Sequence, residues 1–131
     1  MITVRPYQAG DYETASAWWV AHGWPAVPVQ FLPVVGVVVM VDEVPAAMAW
    51  LKQENSTPIA MMEWLVTNPA NHPKDSVRAI KEAIESMKAV CVATGRTALF
   101  TFCKQPSLAR AYEKSGFSRS DDGMIHLVCT F

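Results

Sequence analysis

The chain has 131 residues, 51% of them hydrophobic and five of them tryptophan, with eleven basic against twelve acidic side chains for a net charge of −1. This length suits one domain whose core needs no disulfide or structural metal, and the near-neutral charge supplies no basic field for nucleic acid or an anionic membrane. Cys91, Cys103 and Cys129 lie far apart with no CxxC or Cys/His cluster, and read as reduced thiols of a cytoplasmic protein. The first residues lack the charged and apolar blocks of a secretory signal. The longest apolar run, Val34 to Val41, falls well short of the roughly 20 residues a membrane helix needs.

Ile2 to Arg5 alternates apolar and polar residues and stops at Pro6, which predicts a first strand. Asp11 is placed to cap a helix from Tyr12 to about His22, and Gly23 ends it. Trp18 and Trp19 are adjacent, about 100° apart on that helix, which turns one of them away from the main core. Trp24 to Pro33 carries three prolines among apolar residues, a rigid connection that packs on the body or lines a cleft. Val34 to Val41, Ala46 to Gln53 and Ile59 to Thr67 are apolar runs separated by polar turns at Asp42-Glu43 and Glu54 to Pro58, the pattern of an antiparallel meander.

A long helix follows from about Ser76 to Ala93. Val77, Ile80, Ile84, Met87 and Cys91 recur at spacings of three and four as its core stripe, with Arg78–Glu82 and Lys81–Glu85 placed to pair on the other face. Thr97 to Cys103 reads as a strand, and Pro106 opens a helix, Ser107 to Ser115, that stops at Gly116. Phe117 to Ser120 and Met124 to Phe131 flank Asp121-Asp122-Gly123 as a closing hairpin. The order β-α-β-β-β-α-β-α-β-β implies one α/β domain over residues 1–131, a mixed and mostly antiparallel sheet of about six or seven strands with helices on both faces.

That order resembles the GNAT (Gcn5-related N-acetyltransferase) superfamily over nearly the whole chain. The segment Ser107-Leu-Ala-Arg-Ala-Tyr112-Glu-Lys-Ser-Gly116-Phe117 is similar to the family's C-terminal motif, a helix ending in tyrosine, polar residues and Gly-Phe. Trp64-Leu65-Val66-Thr67-Asn68-Pro69 resembles its central strand, whose free backbone groups pair with the pantetheine arm of acetyl-CoA. The resemblance implies a cleft between that strand and Thr97 to Cys103. It implies acetyl transfer to a small-molecule amine or a protein acceptor, with a homodimer also open. The family's pyrophosphate loop is the departure. Its glycines expose backbone N–H groups at a helix N-terminus, whereas Asn71-His72-Pro73-Lys74-Asp75-Ser76 has no glycine, Pro73 lacks an N–H, and Asp75 sets a negative charge beside the phosphates. Together with Ala21-His22-Gly23-Trp24-Pro25 and Leu32-Pro33-x-x-Gly36, the pattern looks like small GNAT-like proteins of bacteriophages, with eroded loops.

By this resemblance Tyr112 is the general acid for the departing thiolate, against the plainer reading of a core tyrosine. Glu63, between Met62 and Trp64, is the candidate base, its pKa raised by apolar neighbours; the plainer reading is an exposed strand carboxylate. Leu65, Val66, Thr67, Asn71, Lys74, Ser76 and Gln105 fall at cofactor-binding positions, and Gln105 also suits a loop residue before Pro106. His22, Trp24 and Phe31 fall on the acceptor side, where aromatic cover of the core is the alternative. Cys103 ends the strand beside the cleft, and a buried structural thiol accounts for it as well. His72 and His126 have no ligand spacing, so no metal is assigned. The competing function is a non-catalytic GNAT-fold module that binds a partner through the cleft or the tryptophan-rich first helix.

Overall fold

The computed structural model describes all 131 residues. Strands β1 (Ile2–Pro6), β2 (Val35–Val41), β3 (Val44–Gln53), β4 (Ile59–Thr67) and β5 (Ala98–Phe100) form one sheet in the order β1-β2-β3-β4-β5. The first four pair antiparallel, and β5 adds parallel to β4. Helix α1 (Tyr12–Ala21) covers one face, while α2 (Pro73–Ala93) and α3 (Pro106–Lys114) cover the other. Two cores result, because successive side chains of each strand point to opposite faces. On the α2 side Val37, Val39, Ala47, Ala49, Leu51, Ala60 and Met62 meet Ala79, Ala83, Ile84 and Met87. On the α1 side Val38, Met48, Trp50 and Val66 meet Ala15, Trp18 and Trp19.

The sheet has five strands rather than six or seven. Residues 117–131 form neither helix nor strand, so the closing hairpin is absent, and β5 is shorter than the Thr97 to Cys103 run. Both Trp18 and Trp19 are buried; the second core takes them together, with the Trp19 ring 5.5 Å from that of Trp50. On α2 the stripe is rotated. Val77 is 68% exposed, whereas Ala79 and Ala83 are fully buried with Ile84 and Met87. Two alanines let the helix backbone approach the sheet closely, and Val77, two residues before Ala79, lies about 200° round from it. Its surface ion pairs also differ, as Arg78 reaches Asp75 and Lys88 reaches Glu85, each at 3.4 Å.

Three local devices fix these elements. Arg5 and Asp11 make a two-pronged pair at 2.8 Å that ties β1 to the start of α1, and the Arg5 hydrogen bond pulls the Asp11 carboxyl below its ordinary range. The β2–β3 turn puts both Asp42 (φ 48°) and Glu43 (φ 68°) in the left-handed region, as a two-residue hairpin turn of mirror-image type requires. Gly36 stands directly across from Trp50 in β3, and a Cβ there would lie 2.7 Å from Trp50 Cδ1. Only glycine leaves room for the indole.

Candidate active site

The cleft begins where β4 and β5 separate. They pair only over Ile59–Met61 and Ala98–Phe100, after which a single side-chain bond, Thr101 Oγ1 to Met62 O at 3.0 Å, spans the gap. The cause lies on the other side of β4. Glu63 faces Trp50 and Val66 faces Met48, so Trp64 and Leu65 together oppose Ala49. This is a β-bulge, and Trp64 takes φ 62° to make it. A tryptophan in the left-handed region is rare and stores roughly 1–3 kcal/mol of strain. The bulge bends β4 away from β5, leaving the β5-facing edge of residues 63–67 without a strand partner.

Tyr112 is held at this opening by its helix cap. The Phe117 N–H bonds Tyr112 O at 3.1 Å, the Gly116 N–H bonds Glu113 O at 3.1 Å, and Gly116 takes φ 98°. This is a Schellman motif, whose usual hydrophobic contact is the edge-on packing of Phe117 on Tyr112, with ring centres 5.1 Å apart. Lys88 Nζ donates to Ser115 O at 2.7 Å and locks the cap to α2. The spacing Tyr-x-x-x-Gly-Phe is therefore a positioning device. Tyr112 is 4% exposed, and burial pushes its phenol up, with the Thr101 side chain opposing.

Glu63 lies on the α1 face, in a cavity of about 650 Å³ also lined by Phe31, Lys52, Trp64 and Arg96. Burial raises its carboxyl above the ordinary glutamate range, with Lys52 and His126 pulling the other way. Tyr112 thus packs in the α2-side core and Glu63 lines the cavity on the opposite face, with β4 between them.

The far end of the cleft is built differently. Asn68 bonds Pro45 O and the Ala70 N–H, and Asn71 Nδ2 donates to Ala46 O at 2.9 Å and Ser76 Oγ at 3.2 Å. Asparagine side chains thus shape the loop that glycines would otherwise allow. At the start of α2, His72 Nδ1 accepts from the Lys74 N–H at 3.2 Å, and His72 O accepts from Asp75 and Ser76 at 2.9 and 3.1 Å. The N–H groups of Lys74, Asp75 and Ser76 are thus all engaged by His72. Asn71 and Ser76 are turned on each other, and Lys74 makes no ion pair.

The expected acceptor residues divide. Phe31 shares the cavity with Glu63, but His22 and Trp24 do not line it. Instead His22 Nε2 donates to Thr67 O at 2.9 Å and stacks on Trp24 at 4.9 Å, occupying a carbonyl expected to be free for cofactor. Leu65 packs toward the α2 core and Val66 is buried in the other, so these two contribute backbone alone to the open edge. Gln105 is exposed at the N-cap of α3 and makes no side-chain capping bond. Cys103 is half-buried, and burial raises its thiol. No three His, Cys, Asp or Glu side chains are grouped so as to hold a metal ion, and no helix is long and apolar enough to cross a membrane.

No protein-family model matches the sequence, and no curated protein matches it. Solved structures do. Glucosamine-6-phosphate N-acetyltransferase from Arabidopsis thaliana superposes with a TM-score of 0.70 at 14% identity, covering 97% of this chain and 98% of its own. A GNAT-family acetyltransferase structure from Novosphingobium aromaticivorans gives 0.64 at 21% identity, over 89% of this chain and 52% of that one. N-acetylglutamate synthase from Neisseria gonorrhoeae, solved with coenzyme A and L-arginine, gives 0.67 at 15%, over 95% and 29%. The chain has the GNAT fold.

Sequence reading missed four residues of this GNAT-type cleft. Trp64 gives no signal, because its backbone state opposes its residue type. Thr101 looks like an ordinary strand residue until β4 and β5 part beside it. Lys52 enters the Glu63 cavity from the neighbouring strand β3 and Arg96 from the turn after α2, where it is held by donating to Glu54 O and Thr57 O.

Proposed function

We propose that this protein transfers an acetyl group from acetyl-CoA to the amine of a small molecule or a protein. The observation that carries the reading is the parting of β4 from β5 after Met61 and Phe100, which leaves a β4 edge open, with Tyr112 in the α2-side core and Glu63 in the cavity on the other face. Acetyl-CoA would supply the acyl group as a thioester, and the open β4 edge over residues 63–66 suits its pantetheine amides, Thr67 O being taken by His22. The start of α2 does not fit the pyrophosphate, so the grip on the nucleotide end is weak.

Glu63 takes a proton from the acceptor amine, whose nitrogen forms the new bond to the acetyl carbon. Tyr112 gives its phenolic proton to the sulfur as the carbon–sulfur bond breaks, leaving an acetamide and a free thiol. Solvent removes the proton from Glu63 and restores the one on Tyr112. Burial suits both groups, since a raised phenol stays protonated at neutral pH and a raised carboxylate is the stronger base. Free cysteines and near-neutral charge favour work in the reducing cytoplasm on an acceptor other than nucleic acid.

The test is thiol release from acetyl-CoA over a panel of primary amines, with thermal unfolding followed in parallel. Release that depends on the amine is expected. A ligand at 100 times its Kd stabilises the fold by about 2.7 kcal/mol, so binding registers even where the acceptor is missing from the panel. One observation favours a second reading, a non-catalytic partner-binding module: the first-turn donors of α2 are all engaged. The absence of both thiol release and stabilisation would select it. Such a module would use the cleft rather than the tryptophans of α1, which are buried.

A further inference from the structure

The cavity beside Glu63 holds charges of both signs that do not pair. Glu63 stands directly across from Trp50 in the β3–β4 pair, and directly opposed residues share a face of the sheet. Lys52 follows two residues after Trp50 on β3, so alternation puts it on that same face, while Leu51 between them turns into the α2 core. Diagonal neighbours of this kind lie roughly 7–8 Å apart, within reach of long side chains. Yet the chain's ion pairs include neither Glu63 nor Lys52.

Arg96 adds a second cation. Its Nη1 donates to Glu54 O and Thr57 O in the β3–β4 turn. Its Nε is buried without a hydrogen-bond partner, and no carboxylate pairs with the guanidinium. Glu54 is already engaged, since its Oε1 accepts from the Asn55 and Ser56 N–H groups and from the Ser56 hydroxyl. A guanidinium drawn out of water without an anion is costly, and a bound anion offsets that cost. Two cations without an acid partner thus line a cavity whose only carboxyl is Glu63. The rest of the lining is mostly apolar, with Phe31 and Val34 each more than half exposed. At about 650 Å³ the cavity has the size of a small-molecule site.

We infer that this cavity takes a small primary amine that carries an anionic group, a carboxylate or a phosphate, on an apolar body. The amine lies at Glu63, the anion at Lys52 and Arg96, and the body against Phe31 and Val34. The inference rests on the acetyl-transfer reading for the role of the amine, and it narrows the acceptor to one chemical class. Charge sets the orientation. Turned end for end, the ligand would set its ammonium against two cations and its anion against Glu63.

The experiment is calorimetric binding to the full chain with coenzyme A present, on matched amines. Leucine and γ-aminobutyrate are each compared with their carboxamides, and phosphoethanolamine with ethanolamine. Each anionic amine is expected to bind roughly tenfold or more tightly than its uncharged partner, the usual worth of a charge-assisted hydrogen bond. The larger preference, in the carboxylate pairs or in the phosphate pair, names the anion. Lys52→Gln is expected to bring every pair near parity, and Lys52→Arg to restore the preference. Arg96→Gln should lower it as well. Arg96 also holds the β3–β4 turn, so the decision rests on Lys52, which is exposed and makes no ion pair. Equal binding within every pair overturns the inference, as does binding of none, or a preference that survives Lys52→Gln. Thiol release from acetyl-CoA on the same amines separates the two readings. Release as ready with the uncharged amines as with the anionic ones keeps acetyl transfer and overturns the inference. Anionic amines that bind through Lys52 without release keep the site and remove acetyl transfer from it.

Discussion

The β4–β5 opening and the start of α2 are the two ends of one cleft, and the chain treats their backbones in opposite ways. At the opening, a bulge at Trp64 holds residues 63–67 off β5, leaving the outer edge without a strand partner and capped only at Thr67 O by His22. At α2, His72 closes on Lys74, Asp75 and Ser76, while Asn71 and Ser76 bond each other. Strain is kept where an open edge is useful, and hydrogen bonds are completed where one is not. The comparison teaches that an open strand edge and a closed helix start can lie side by side, because different segments build the two.

The largest expected effect falls on the open end. Tyr112→Phe should lower kcat by roughly 10²–10⁴-fold while leaving acetyl-CoA affinity nearly unchanged, since the phenol acts only as thiolate charge develops. Steady-state kinetics beside a binding isotherm check this, and unimpaired turnover would remove Tyr112 from the mechanism.

Glu63→Gln should cost roughly 10²-fold in kcat/KM and abolish its acidic limb. That limb should lie above the ordinary glutamate range, because burial raises the Glu63 carboxyl. Stability carries the matching sign. The folded carboxyl keeps its proton to higher pH than the unfolded one, so stability falls as pH rises from the unfolded value of about 4.5 through the raised one. Glu63→Gln should flatten that slope, and a slope unchanged by the substitution would place the raised carboxyl elsewhere.

Gly36→Ala sharpens the comparison by acting on the open end alone. Its Cβ would meet the Trp50 indole, which faces Glu63 across the β3–β4 pair. Denaturant unfolding should show a loss of roughly 1–3 kcal/mol, the usual penalty for overpacking. The smallest effect belongs to the closed end, where Asp75→Gly removes a like charge from beside the phosphates. A gain of about 1 kcal/mol, or roughly fivefold in acetyl-CoA Kd, is expected. Equal or weaker binding would mean that the phosphates lie away from the start of α2.

The element order was readable because each segment carries its own period: the β-branched run of β2, the three-and-four spacing on α2, the glycine stops at Gly23, Gly95 and Gly116. Tyr112 was legible for a local reason, since its position is set by a cap formed within six residues of sequence. Glu63 was legible only as a carboxylate among apolar neighbours; of its partners in the cavity, Lys52 depends on the β3–β4 register and Arg96 on the turn after α2, which no local pattern links to it.

What the sequence determined by itself was local: which segments are helix or strand, the cap that aims Tyr112, and the loss of glycine before α2. Tertiary structure decided which apolar residues find cover. Ala79 and Ala83 displaced Val77 from the core because a helix approaches a sheet most closely on its smallest side chains. His22 went to Thr67 O rather than to the Glu63 cavity because β4 offered an acceptor there. The terminal hairpin failed for the same kind of reason. A hydrophobic alternation specifies the faces of a strand, but pairing takes backbone hydrogen bonds to an edge, and residues 118–131 make none although His126 reaches Phe102 beside the open edge of β5.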